Sequence, residues 1–416
     1  MSTARPVLHD PATYAHGFPY AHFAELRETD PVSHHDHPRW DRGYWVVARH
    51  ADVQRVSRDA TAFHNAPHPF LDADAGTEKG ASGLLISLDP PEHTKLRKLV
   101  NRGFTPKRVA ALSESLAARV DAIITELASR KSCDLVNDLA LWLPLHVIAD
   151  MVGVPEPDRR QVFEWTEITF GFDPAVTLEE RGAAAMEMYA YADALCEARR
   201  AEPRDDLISV LLAAEVDGHQ LTQMQIDLFF LLLQNAGSET TRNLITTGML
   251  ALLEHPDEMA ALRADLTLLP VAIEELLRYV TPVVQFTRTA TVDTEIAGQA
   301  IAAGDRVALF YPSANRDERV FTDPDGLDIT RAPNDHVAFG AGGPHFCLGA
   351  SLARLEARVM FEALLTRFDG MEVAGDPAEL PRVSSCLIDG FAELPIRWRS
   401  LHAGAESTRR AGVGPR

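Results

Sequence analysis

Apolar positions along most of the chain recur every three or four residues, the period of a helix with one buried face. A short pattern of this kind lies around Phe23–Arg27, and a second covers Ala51–Phe63. From Pro91 to Ala194 the period is helical almost throughout, with breaks near Pro106, Pro144 and Pro155. Pro203 opens a further helix, Asp205–Ala214, and the Val216–His219 stretch predicts a turn. The longest predicted helix starts at Thr222, a suitable N-cap, and ends at Glu254. Between Ile226 and Leu233 it is apolar nearly all round, the mark of a helix passing through the middle of a protein. Two more helices are predicted from Pro270 to about Tyr279 and from about Leu348 to Phe368.

The two-residue period of a strand is rarer. Tyr44–Val47, Phe286–Thr291, Glu295–Ala297 and Arg306–Phe310 carry it, and short strands are expected near 383–398. Residues 64–83 have no period and read as a lid or binding loop. Residues 312–346 are irregular and rich in Pro, Asp and Gly. The fold class is therefore mainly α with a minor β region, in a single domain over residues 1–401. Residues 402–416 are expected to be a disordered tail.

Composition narrows the function classes. The 416 residues are 46% hydrophobic and 24% charged, ordinary globular usage and enough core to hide a cofactor. A net charge of −20 argues against nucleic acid and against an anionic membrane surface. The four cysteines, Cys133, Cys196, Cys347 and Cys386, are far apart and form no C-x-x-C pair. A disulfide framework or zinc site is therefore not expected, and a reducing compartment is. The N-terminal residues lack the apolar run of a signal peptide. Leu228–Leu233, read as the richest apolar stretch, is too short to span a bilayer. A cytoplasmic monomer without a membrane anchor is the expectation.

One cysteine has unusual surroundings. In Phe339-Gly340-Ala341-Gly342-Gly343-Pro344-His345-Phe346-Cys347-Leu348-Gly349, glycines crowd both sides of Cys347 and a helix comes directly after. Such a run turns tightly and can approach a flat, bulky group. A helix N-terminus favours an anion, and freed backbone N–H groups can bond a sulfur. A thiolate made less basic in this way is what an iron porphyrin requires. By itself, a buried cysteine beside glycines is usually packing.

The segment resembles the haem-binding loop of the cytochrome P450 family, with one residue more than the usual spelling at Gly342-Gly343-Pro344. Three other strings agree with that resemblance. Ala236-Gly237-Ser238-Glu239-Thr240-Thr241 lies on the long helix. Its small residues leave room for a flat group, and a threonine hydroxyl can bond the carbonyl four residues back and open the helix. By resemblance, Thr240 handles bound oxygen and Glu239 relays protons. Glu275-Leu276-Leu277-Arg278 sets two charges on one helix face. With Arg331 it resembles the family's structural Glu-Arg-Arg triad. His93 and Arg97, four apart, share a face that suits a carboxylate. By resemblance these two, with Arg288 and His345, meet the haem propionates. Phe339, Gly340, Gly349, Ala236 and Gly237 would also line the cofactor.

The resemblance implies the P450 fold, with haem b between the long helix and the helix after Cys347. The activity implied is insertion of one oxygen atom from O₂ into a C–H bond. Electrons would come from an external ferredoxin and an NAD(P)H-dependent ferredoxin reductase, since no reductase segment is seen. Lys95, Lys98, Arg102, Lys107, Arg108 and Arg354 are candidates for a basic patch that steers the ferredoxin. Leu85, Phe229, Leu233, Val283, Val284, Phe286 and Leu387 are candidate substrate contacts. Leu84, Ile86, Ile168, Phe170, Phe172 and Ile388 form a wider apolar set. The inserted loop residue resembles bacterial members acting on sterols and methyl-branched lipids, so a sterol, terpenoid or branched fatty acid is favoured. The alternatives are a haem-thiolate peroxygenase, an isomerase, dehydratase or C–C coupling enzyme, and a P450 tailoring a polyketide or other natural product. A haem carrier without turnover would not need the Glu239-Thr240 pair. For a helical protein without haem, the reduced, CO-bound form would lack the red-shifted Soret band of thiolate ligation.

Overall fold

The computed structural model describes residues 5–71, 81, 83–127, 129–170, 175–216 and 218–402. The tail beyond His402, Phe172 and much of the 64–83 loop lie outside the described residues.

The fold is organised by one helix. Gln223–Glu254 begins where the Thr222 hydroxyl accepts from the Gln225 N–H and the Gln225 side chain accepts from the Thr222 N–H. This reciprocal cap satisfies two of the donors that a helix start leaves free. The helix extends about 48 Å at 1.5 Å per residue, and every side chain from Thr241 to Leu252 is buried. It packs against Trp142–Val152, Leu178–Ala201, Leu269–Val280 and Ala350–Arg367. Their apolar faces merge into one large core. Leu135–Val152 is long and apolar enough to cross a membrane, a longer run than Leu228–Leu233. It is mostly buried inside this core. At the crossing, a Cβ on Gly237 would come within 2.1 Å of Ile148 Cδ1. A larger residue there would have to displace the tip of Ile148, so the glycine also serves the helix–helix contact, beside the cofactor clearance read from sequence.

A five-stranded mixed sheet flanks the helices. Its order is Val32–His37, Trp40–Val47, Arg306–Phe310, Gln285–Ala290 and Phe63–His64, and only the Arg306–Phe310/Trp40–Val47 pair is parallel. The first strand is not legible in the sequence, because Ser33-His34-His35-Asp36-His37 hides its period, although Ser33 and His37 are buried. The helix expected over Ala51–Phe63 stops at Arg58. There the Asp59 carboxylate accepts from the Thr61 and Ala62 N–H groups and turns the chain into the edge strand. Near 383–398 only Pro395–Arg397 is a strand, between Ser132–Asp134 and Glu372–Val373.

Candidate functional site

Between the central helix and the Ala350–Arg367 helix lies a cavity of about 1520 Å³, counting its open mouth. Cys347 lines it, just ahead of the helix N-cap Gly349. The loop that carries it is built from backbone. Gly340, Gly342 and Gly343 all have positive φ, and the Cys347 N–H donates to the Phe339 carbonyl at 2.9 Å. Burial pushes the Cys347 thiol up, opposed by the Gly349 and Ala350 N–H groups and the charges of Arg97 and Arg354. The additional loop residue has a visible purpose. Ser57 Oγ donates to the Gly342 carbonyl at 2.9 Å and Arg58 Nε to the Ala341 carbonyl at 3.1 Å. A Cβ on Gly343 would strike the Ser57 carbonyl at 2.3 Å. The stretch is therefore a dock against the His50–Arg58 helix.

Opposite the cysteine, Ala236, Gly237, Thr240 and Thr241 form the wall of the central helix. Thr240 Oγ1 donates to the Ala236 carbonyl at 2.9 Å, as its spacing predicts. At the rim, His93, Arg97, Arg288 and His345 converge on the same cavity. The His93 and His345 rings lie 4.1 Å apart. Burial, with the charges of His345 and Arg97, lowers His93 to about 3, and burial also lowers His345, so both rings are neutral near pH 7. His93 Nδ1 is buried without a hydrogen-bond partner among the described residues, and His345 Nε2 faces the Asp89 carboxylate at 3.9 Å. Behind the loop, Glu275 and Arg278 are fully buried. Arg278 grips both Glu275 oxygens at 2.7 Å, and Arg331 Nε lies 3.1 Å from each. Arg278 spends its other donors on the Asn315, Pro324 and Gly326 carbonyls. The triad holds the segment leading to Cys347.

The cytochrome P450 family description matches residues 159–380. A steroid C26-monooxygenase of Rhodococcus jostii is 39% identical over 95% of this chain and 85% of its own. The chain belongs to the cytochrome P450 family. A methyl-branched lipid omega-hydroxylase of Mycobacterium tuberculosis is 40% identical, over 90% of each chain. The crystal structure of a Mycobacterium marinum cytochrome P450 in complex with pseudoionone superposes with a TM-score of 0.85 at 37% identity, covering 91% of this chain and 94% of that one. This P450 is a haem monooxygenase.

A haem fits the residues present. One cysteine faces the cavity, and two imidazoles and two guanidinium groups stand at its rim, suited to carboxylates. Among the described residues no cluster of three or more His, Cys, Asp or Glu could hold a metal unaided. A single thiolate therefore suits an iron whose other ligands come with the cofactor.

The apolar wall of this P450 differs in part from the expected one. Leu85, Ile86, Phe229, Leu233, Val283 and Phe286 line the cavity. Val284 does not: it is fully buried in a separate cluster with Phe310 and Cys386. Neighbours on extended backbone point to opposite sides, so Val283 and Val284 cannot both face the cavity. Leu387 is also off the wall, and its carbonyl accepts from the Val284 N–H at 2.8 Å. Leu84, Ile168, Phe170 and Ile388 are likewise not lining residues. Phe104, Ile148, Leu232, Leu244, Leu277 and Pro282 also line the cavity, and helical period gives no means to tell them from core.

Two carboxyl groups of the P450 are buried with few partners. Glu239 is buried off the cavity wall and paired with Arg242, whose Nη1 is 3.9 Å from Glu167 of the Arg159–Phe170 helix. Burial raises Glu239 to about 7, against the pull of Arg242. Glu356, which no sequence motif marks, lines the cavity and is fully buried beside Thr241. Burial raises it to about 8. Its one sequence signal is a charge on the buried face of the helix after Cys347.

The basic patch is reduced. Arg108 pairs with Asp205, Arg102 donates to the Glu215 carbonyl, and Arg354 is committed to Glu274. Lys95, Lys98, Lys107 and Arg102 itself remain exposed.

Proposed function

We propose that this P450 hydroxylates a sterol, terpenoid or branched fatty acid in the cytoplasm. Haem b is the proposed cofactor, and an external ferredoxin with its NAD(P)H-dependent reductase supplies electrons. The observation that carries the substrate class is the apolar wall. Leu85, Phe229, Leu233, Val283 and Phe286 converge on the same cavity as Cys347 and Thr240. All five are apolar, so a long hydrocarbon would be held by burial and shape. The names of the steroid- and lipid-oxidising relatives point the same way.

A bound haem supplies reductive O₂ activation, favoured by thiolate donation. The residues of this chain supply the rest. Cys347 would hold the iron, and His93, Arg97, Arg288 and His345 would hold the carboxylates. Thr240 presents its hydroxyl to the oxygen side. Glu239 holds an exchangeable proton one residue away along the helix. Lys95, Lys98, Arg102 and Lys107 are exposed cations that an acidic ferredoxin would meet.

A screen of sterols, terpenes and fatty acids by shift of the Soret band tests the substrate class. Tight shifts confined to small polar compounds or polyketides would overturn it. Cys347→Ser is expected to abolish the red-shifted band of the reduced, CO-bound protein.

A further inference from the structure

The sequence groups Arg354 with cations facing a redox partner, but the structure commits its guanidinium to Glu274 and Phe339, with the side chain still 37% exposed. Its Nε and Nη2 grip Glu274 Oε1 and Oε2 at 2.6 and 2.7 Å. The flat face of the guanidinium lies over Phe339, 4.5 Å from the ring centre, an arrangement that a planar cation favours. Glu274 Oε2 is also 3.1 Å from His336 Nε2, while His336 Nδ1 accepts from the Ala338 N–H at 3.2 Å. That second bond places the ring proton on Nε2, where it donates to Glu274. Phe339 lines the cavity, and its carbonyl accepts the N–H of Cys347. A charge pair, an aromatic ring and the sulfur's own backbone therefore form one continuous contact.

We propose that Arg354 is a positioning residue that sets the reduction potential of the bound haem, clamping Phe339 on the cysteine loop and holding there a positive charge that Glu274 offsets. The proposal rests on Cys347 as the iron ligand. A cation beside the ligand stabilises the added electron, and a carboxylate beside it does the reverse. A merely structural ion pair lacks this sign difference, since loss of either partner would loosen the same loop.

The experiment is potentiometric titration of the haem-loaded protein. Arg354→Gln is expected to lower the midpoint potential and Glu274→Gln to raise it, each by about tenfold in the reduction equilibrium, or about 59 mV for one electron. The double variant should return toward the parent, and Arg354→Lys should recover most of the Arg354→Gln shift. Glu274→Gln keeps the shape of the site and serves as the test if Arg354→Gln does not load haem. Shifts of the same sign, or none in either single variant, overturn the proposal. So does an unchanged potential in Arg354→Gln with weaker, salt-dependent reduction by a ferredoxin, because Arg354 would then be a partner contact. The Soret band of the reduced, CO-bound form separates the two failures. Its absence in the parent sinks Cys347 as ligand, whereas its presence with unmoved potentials sinks only the role of Arg354.

Discussion

Carboxyl groups on two sides of the cavity, half-buried at Glu274 and buried at Glu275, Glu239 and Glu356, meet opposite fates. On the side of the cysteine loop, burial would raise Glu274, but Arg354 and His336 outweigh it and hold the group at about 2. Its neighbour Glu275 has Arg278, Arg331, Asn334 and the Asp328 N–H on its two oxygens. On the side of the central helix, among the described residues, Glu239 shares the Arg242 guanidinium with Glu167, and Glu356 has the Thr241 hydroxyl alone. These two are raised to about 7 and about 8. The number of donors decides the outcome, because a buried charge is tolerated only when its lone pairs are satisfied. The first region keeps fixed charge and holds the loop in place. The second keeps protons, which can be given up.

Removing a carboxylate from the first region should have the largest effect. Glu275→Ala would leave Arg278, fully buried, without its counter-charge. Breaking a buried pair from one side costs about 3–5 kcal/mol. Loss of that stability in denaturant unfolding, with poor haem retention, is expected. A change below about 1 kcal/mol would erase the distinction between the two regions.

The contrast is only half legible in the sequence. Cys347, Thr240 and the His93/Arg97 pair are readable because each is a local spacing, and spacing survives folding. Thr240 bonds Ala236 and both rim residues face the cavity, as spacing predicts. The central helix is readable to its cap because Thr222 and the apolar run are also local. Glu356 is not readable, because its burial depends on a second helix that crosses over it. Val284 and Leu387 fall off the expected wall because a short strand leaves open which face is the cavity. Arg354 looks like any surface cation until Glu274 and Phe339, distant in sequence, close on it.

On the central-helix side, Thr240→Ala should uncouple the enzyme. Electrons would still be consumed, but a large share would be lost to peroxide, because the hydroxyl lining the cavity is gone. Product formed per electron supplied measures this, and an equal ratio in the variant would sink the oxygen-side role. Glu239→Gln should act more mildly and through pH. The carboxyl, raised to about 7, loses its proton as pH rises through that value. Turnover of the parent is therefore expected to decline from about pH 6 to about pH 8. The glutamine variant should be slower and flat across that window. An unchanged slope in the variant would assign the titration to another group.

Glu356→Gln should have the smallest effect, and on stability more than on rate. An amide has nearly the shape of the protonated acid and can still bond Thr241. Below the ordinary glutamate pKa, about 4.3, variant and parent should differ by under about 1 kcal/mol. The parent holds its proton up to about pH 8 in the folded state, whereas the unfolded chain releases it near the ordinary value. Between these limits the folded state binds more protons, so unfolding free energy falls as pH rises. This share of stability is complete at low pH and is lost as pH rises through about 8. The glutamine variant has no such proton to lose. Unfolding midpoints measured from about pH 5 to about pH 8 should fall less steeply for the variant, so the two curves converge or cross toward alkaline pH. Parallel curves would mean that Glu356 is already ionised at the acid end of that range, and that a single hydroxyl is enough to keep a buried carboxylate charged.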